Sequence, residues 1–235
     1  MNYLFALIGI AVMYLITLFL RRVYLASYNK ENKIKAALKY TIKAFLWIGS
    51  LDFSLARLHK NKIKAKYPEK ETQKDQLSQY LVTANNANII VSFLLAVAAY
   101  LTALLCNIEW LRLVLFGLIA YRTLSRTLEI NIAFLLDCMD KSKDSNLDHI
   151  GRIKLAFKSW LEEAFLFAGI YSFALVKIAW WKPLLGGLHS FIFSPFECFP
   201  DVFFSFASVY QIICSVILIT ISFASYISNR DDRKE

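Results

Sequence analysis

Uncharged stretches long enough to cross a lipid bilayer alternate with lysine-rich stretches along this chain. Residues 3–20 and 89–106 are each 18 residues without a charge, and residues 202–228 form a run of 27. An α-helix rises 1.5 Å per residue, so 18 residues cover about 27 Å, close to the thickness of the hydrocarbon core of a membrane. The pattern predicts three membrane-spanning helices.

Two further spans are predicted from less regular runs. Residues 113–121 give only nine uncharged positions, so a helix crossing there has to include neighbouring arginines. Residues 160–181 begin and end with tryptophan, as interface belts do, but they also contain Glu162, Glu163 and Lys177. The sequence therefore predicts an all-α, polytopic membrane protein with about five transmembrane helices, within a range of four to six.

A basic segment separates the first two predicted spans. Residues 44–58 form an apolar and aromatic patch that Asp52 and Arg57 interrupt, and lysines follow at alternating positions from Lys60 to Lys66. The patch fits either a helix lying in the membrane interface or a packed helical hairpin in the cytoplasm. Residues 67–79 contain Pro68 and few apolar side chains, which predicts a flexible connector.

The distribution of lysine and arginine predicts the orientation. Of the 27 such residues, 14 lie in 21–83, 7 in 122–158 and 3 at the C-terminus, which leaves only Arg112, Lys177 and Lys182 elsewhere. Cytoplasmic loops carry the excess of positive charge, so we expect an external N-terminus and a cytoplasmic C-terminus, in a bacterial inner membrane. Because Arg21 and Arg22 follow the first apolar run, that run is interpreted as an uncleaved anchor.

The same features divide the chain into four parts. We expect a transmembrane anchor in 1–22, a basic cytoplasmic or interfacial helical segment in 23–83, a transmembrane hairpin with a cytoplasmic extension in 84–140, and a helix-loop-helix module in 141–235. Composition agrees with this division, since 57% of the residues are apolar. The net charge of +9 is then explained by anionic lipid headgroups on the cytoplasmic side, and no nucleic-acid partner is expected.

Motifs for catalysis or metal binding are not apparent. The four cysteines form neither a CxxC pair nor a cluster with histidine, and the sequence contains no HExxH, no GxSxG and no glycine-rich phosphate loop. We therefore expect no enzymatic activity, no cofactor and no metal site.

The last third of the chain has an order of segments found in one known family. A basic stretch, 152–158, leads into an apolar helix, then a predicted external loop, then the sequence DVFFSFAS at 201–208, and finally an apolar helix at 211–228. This order resembles the pore module of small bacterial potassium-channel-like proteins, of the voltage-gated-channel superfamily, with an outer helix, a re-entrant pore helix and an inner helix. The resemblance implies a homotetramer with the last helix nearest the central axis.

The chain departs from this family at the selectivity filter. Family members keep a T-x-G-Y/F-G stretch there, because only glycine reaches the backbone angles that align the carbonyls without strain. After Gly187 this chain has no glycine, so residues 201–228 are predicted to form one continuous helix and no potassium-selective channel. The candidate axis-facing polar residues on this helix are Ser208, Gln211, Ser215 and Ser222.

Charged residues near the third and fourth spans form the other candidate site. Arg122, Arg126 and Glu129 follow one another at spacings of four and three and share a helix face. They either face the cytoplasm as a solvated stripe, or form a candidate intramembrane charge network in which Arg122 or Arg126 pairs with Glu162 or Glu163.

Two classes of function follow from these features. One is an oligomeric channel-like or pore-like assembly without a potassium filter. The alternative is a non-conducting membrane anchor or sensor subunit that recruits a soluble cytoplasmic partner. A role in stress or antiviral defence would suit such a subunit, although no residue indicates it.

Overall fold

The computed structural model describes residues 4, 7, 8, 10, 11, 51–139, 145–188 and 202–222, and all the regular structure in them is helical. Most of the first predicted span and the C-terminal residues 223–235 lie outside this part. The helices are α1 (Leu51–Lys66), α2 (Lys70–Leu105), α3 (Glu109–Met139), α4 (His149–Leu175), α5 (Lys182–Leu188) and α6 (Val202–Val216), and a π-helical turn, Ile217–Ser222, continues α6.

Two of the described helical segments are long and apolar enough to cross a membrane, Lys70–Leu105 and Val202–Ile219. Only 17% of the most apolar part of α2 is buried in the protein, and Ile90, Leu94 and Leu101 are exposed. A water-soluble protein rarely exposes so continuous an apolar surface. These segments contain residues 89–105 of the second predicted span and residues 202–219 of the fifth.

Helix α2 is longer than a membrane crossing requires. Its 36 residues extend about 54 Å, whereas the hydrocarbon core is about 30 Å thick. The apolar residues occupy its C-terminal half, and the N-terminal half, about residues 70–88, is polar. The apolar half is the part that has the composition of a membrane span, and α2 runs without a break through residues 83 and 84, where a domain boundary is predicted.

The predicted flexible connector at 67–79 is wrong, because α2 begins at Lys70. Gln73 Nε2 donates to the backbone oxygens of Lys64 and Tyr67, 3.0 Å away in each case, and so fixes a tight turn between α1 and α2. Pro68 lies within this turn, before the first helical residue, where its missing N–H removes no helical hydrogen bond. Proline here precedes a helix and does not indicate a loop.

Helix α1 packs against α2 and α3. Its Asp52 forms an ion pair with Arg122 of α3, and the ring of His59 stacks on Tyr80 of α2 with the centroids 5.5 Å apart. Leu58 is buried between these contacts. For the described part of the patch at 44–58, which begins at Leu51, the structure shows a helix that packs against α2 and α3.

The antiparallel helices α3 and α4 form the centre of the molecule. Asp148 is the N-cap residue of helix α4, because its Oδ1 accepts a hydrogen bond of 2.7 Å from the Gly151 N–H. Helix α3 is continuous from Glu109 to Met139, so it extends well past Tyr121, where the uncharged run ends. Two apolar clusters pack around this pair, one including Phe116, Ile119, Phe167, Tyr171 and Phe204 and the other Ile130, Phe134, Ala156, Trp160 and Leu218.

The segment after α4 folds back along it. An external loop is predicted between the fourth and fifth spans, but the structure contains a short helix in this segment, α5, that packs on α4. A Cβ added at Gly187 would lie 2.3 Å from the backbone oxygen of Ala164, so glycine allows the two backbones to approach. Ala164 lies about 16 Å along α4 from its last residue, Leu175, so α5 packs beside the middle of α4.

Residues 201–208, which resemble a pore helix in sequence, do not end in a loop. From Val202 they form the first two turns of α6, and the helix continues through Gln211 into the π-helical turn. The continuity predicted from the lack of glycine is therefore present over the described residues of this segment.

Candidate functional site

The candidate site lies where α2, α3 and α4 meet. On α3, the spacing of four between Arg122 and Arg126 places them one turn apart, so each can reach a different neighbouring helix. On α4, Glu162 and Glu163 are adjacent in sequence and therefore point about 100° apart. Each glutamate consequently has its own set of partners.

Arg126 and Glu162 form a buried ion pair with two parallel hydrogen bonds. Arg126 Nε donates to Glu162 Oε1 and Nη2 donates to Oε2, both at 2.7 Å. Arg126 is 5% exposed and Glu162 is fully buried. Arg126 Nη1 also pairs with Glu129, one turn further along α3. The planar guanidinium suits this two-point geometry, and Arg126 therefore does not belong to a solvated stripe.

Arg122 has different partners. It forms an ion pair with Asp52 of α1, and its Nη2 donates to Asn88 Oδ1 of α2 at 3.1 Å. Asp52 also accepts a hydrogen bond of 2.6 Å from the hydroxyl of Ser125. From the sequence, Asp52 was recognised only as an interruption of an apolar patch. Buried carboxylates are almost always paired, so a single acidic residue in such a patch indicates that a cation lies nearby.

Glu163 is bound by an amide. Asn131 Nδ2 donates to Glu163 Oε1 at 3.1 Å and to the backbone oxygen of Thr127 at 2.8 Å. On the neighbouring acid, Ser92 Oγ of α2 lies 3.4 Å from Glu162 Oε1. Neither Asn131 nor Ser92 was a sequence candidate, because a neutral polar residue in an apolar helix gives no indication of which charge it contacts.

The contact with Ser92 indicates the depth of the network. Ser92 lies about one turn inside the apolar run that begins at Ile89, and Asn88, the partner of Arg122, immediately precedes that run. The charges therefore lie at the polar end of the apolar part of α2. At this level a charge is less costly than at the centre of a bilayer.

The candidate axis-facing residues of α6 are directed into the interior of the chain. Ser208, Gln211 and Ser215 are buried, and the side chain of Ser222 lies outside the described residues. Gln211 Oε1 accepts a hydrogen bond from the Tyr171 hydroxyl at 2.9 Å, and its Nε2 donates to the Gly187 backbone oxygen at 2.6 Å. The exposed face of α6 consists of the apolar residues Val202, Phe203, Phe206, Val209, Ile213 and Val216, together with Ser205.

Among the described residues, no group of three or more histidine, cysteine, aspartate or glutamate side chains could hold a metal ion. Cys106 and Cys214 are free thiols, the first partly buried and the second buried. The site is thus a network of charged and amide groups between packed helices. No family model matches this chain, and comparison with curated proteins and with solved structures finds no significant similarity.

Proposed function

We propose that this chain is a non-conducting membrane subunit with five spans, which presents a basic helical surface to the cytoplasm and recruits a soluble partner there. The observation that carries this proposal is the orientation of α6. A helix lining a water-filled pore needs polar side chains on the surface that faces the pore. In α6 the buried side carries Gln211 and Ser208, which pack against the rest of the same chain, and the outward side is apolar except for Ser205.

The buried charges favour the same function. Arg126 is paired with Glu162, and Arg122 is paired with Asp52. Together with the contact between Ser92 and Glu162, these pairs connect α1, α2, α3 and α4. Ion pathways need charges that water or an ion can reach, whereas Glu162 is fully buried. We infer that the network fixes the junction between the membrane part and the polar part of the bundle.

The polar part of the bundle carries the recruiting surface. Helix α1 contains five basic residues and one acid, and that acid, Asp52, is already paired with Arg122. Arg57, Lys62 and Lys66 are exposed on it. With the predicted orientation these cations lie on the cytoplasmic side, where anionic headgroups attract them and where an acidic surface of a soluble protein would bind.

Ion flux from liposomes tests the proposal. Purified full-length protein in liposomes with a potassium gradient is expected to give no ion current, and Gln211→Leu should behave the same. Addition of a potassium ionophore to the same vesicles controls for their integrity. A current carried by the wild-type protein and altered by Gln211→Leu would contradict the proposal and would indicate the pore-forming alternative. The homotetramer that the resemblance implies stays a prediction.

A further inference from the structure

The charges buried between α3 and α4 do not balance. Among the described residues, Arg126 is the one cation that forms an ion pair with Glu162 and Glu129, and Glu163 is the next residue after Glu162. With all three acids ionised, one cation would face three carboxylates. Arg122 does not correct the imbalance, since it is paired with Asp52. An unpaired carboxylate in a protein interior is strongly destabilising.

Glu163 is the acid that the cation does not reach. The three guanidinium nitrogens of Arg126 bind Glu162 and Glu129. Glu163 is 1% exposed, and its Oε1 accepts the hydrogen bond from Asn131. Its Oε2 is buried with no hydrogen-bond partner among the described residues, and the same is true of Asn131 Oδ1. Glu163 Oε2 and Asn131 Oδ1 are thus two hydrogen-bond acceptors without a donor, on two side chains that already contact each other.

A single proton would resolve both deficits. A protonated carboxyl has one donor and one acceptor, and so has the edge of a primary amide, which makes the two groups complementary. The second hydrogen of Asn131 Nδ2 is already used by the Thr127 backbone oxygen, so the amide is held in place. A proton on Glu163 Oε2 could be donated to Asn131 Oδ1 while Nδ2 continues to donate to Oε1.

We propose that Glu163 and Asn131 form a proton-binding site, in which Glu163 is a neutral carboxylic acid in the folded chain. Proton uptake forms one O–H bond at Oε2 and removes one buried negative charge, and release reverses both changes. The site goes beyond the recruiting function proposed above and does not depend on it. Release of the proton leaves an unpaired charge between α3, α4 and α6, which weakens the packing of these helices.

Several titratable or charged groups surround this site. Helix α3 contributes Arg126 and Glu129, α4 contributes Glu162, and α6 contributes Tyr210 and Cys214, both within electrostatic reach of Glu163. Asp52 of α1 acts on Arg126 and Glu129 from further away. On α2 the Ser92 hydroxyl, which does not titrate, lies 3.4 Å from Glu162 Oε1. Among the described groups around Glu163, acids therefore outnumber cations, which favours retention of the proton.

The pH dependence of thermal unfolding tests the site. If the folded chain holds a proton that the unfolded chain releases, stability must fall as the pH rises. For full-length protein in nanodiscs between pH 6 and 8.5, we expect the Tm to fall by about 2–4 °C per pH unit. Glu163→Gln keeps the shape without the titration and should remove this slope, whereas Glu71→Gln, at an exposed position of α2, should retain it. Equal slopes in wild type and Glu163→Gln would refute the site.

Infrared spectroscopy of the wild type gives an independent result, which also decides the matter if Glu163→Gln does not fold. A carbonyl stretching band of a protonated carboxylic acid should be present at neutral pH, and Asn131→Leu should shift it, because the hydrogen-bond acceptor is removed. Absence of the band would overturn the proposal. A second result would also overturn the proposal: at fixed pH, sodium chloride raises the Tm of the wild type, choline chloride does not, and Glu163→Gln loses the effect. The site would then hold a metal cation.

Discussion

At the scale of single residues, identical side chains have different roles because their neighbours differ. Glu162 and Glu163 are adjacent, yet Glu162 binds a guanidinium through both oxygens and Glu163 binds an amide through one. Arg122 and Arg126 are one turn apart, and they pair with acids on different helices. The charge pattern in the sequence indicates which residues need partners, and the packing of the helices determines which partner each one has.

The pair of Arg126 and Glu162 leads to the first residue-scale prediction. Removing one partner of a buried ion pair leaves the other charge unpaired and costs about 3–5 kcal/mol. We expect Arg126→Gln and Glu162→Gln each to lower the free energy of unfolding in detergent by this amount, with a coupling energy of about 2–3 kcal/mol in the double mutant.

Glu163→Gln serves as the matched control for this cycle. This substitution changes the neighbouring acid, and Arg126 donates no hydrogen bond to that acid among the described contacts. The coupling energy between Glu163→Gln and Arg126→Gln should therefore be below about 0.5 kcal/mol. Additive effects of Arg126→Gln and Glu162→Gln would contradict the pairing.

At the scale of elements, the packing of the short helix α5 depends on two adjacent glycines. Gly186 lies against the ring of Tyr171, and Gly187 lies against the backbone of α4. The Gly187 backbone oxygen also accepts the hydrogen bond from Gln211, so α5 connects α4 to α6. The external loop predicted between the fourth and fifth spans did not include this packing role, which depends on glycine because two backbones approach closely only where a side chain is absent.

Alanine at Gly187 should therefore disturb the packing of three helices. Its Cβ would be 2.3 Å from the Ala164 backbone oxygen, and overpacking of this kind costs about 1–3 kcal/mol. We expect Gly187→Ala to lower the Tm in detergent. Gly169→Ala is the control, since the nearest atoms to its added Cβ are 3.4 Å away and α4 is helical there, so it should change the Tm less. Equal effects of the two variants would show that α5 does not pack as described.

At the scale of the whole molecule, one end of the bundle is apolar on its surface and the other is polar and basic. Helix α2 contains both parts, with exposed leucines near its C-terminal end and the turn to α1 at its N-terminal end. The buried charges lie where the two parts meet. The described part of the bundle therefore has an apolar end and a polar end, and its orientation across the membrane stays a prediction.

Cysteine accessibility in intact cells tests this orientation. In a background without native cysteines, Lys62→Cys on α1 and Lys154→Cys on α4 should resist an impermeant thiol reagent, because both are predicted to be cytoplasmic. Asn107→Cys, between α2 and α3, and Lys177→Cys, after α4, should react. All four positions are exposed in the protein, so burial does not explain a difference. Reaction at Lys62→Cys with protection at Asn107→Cys would reverse the orientation.

The sequence by itself determined the helical class and the positions of the most apolar helices, since runs of uncharged residues need no tertiary partner to be recognised. It also indicated that Arg122, Arg126, Glu162 and Glu163 need partners, because charges beside apolar helices are costly when unpaired. Only the tertiary structure decided that Arg126 pairs with Glu162, that Asp52 and Asn131 complete the network, and that Gln211 faces inward to Tyr171 and α5. These outcomes depend on how the helices are rotated and packed against each other, and residue spacing along one helix does not specify that rotation.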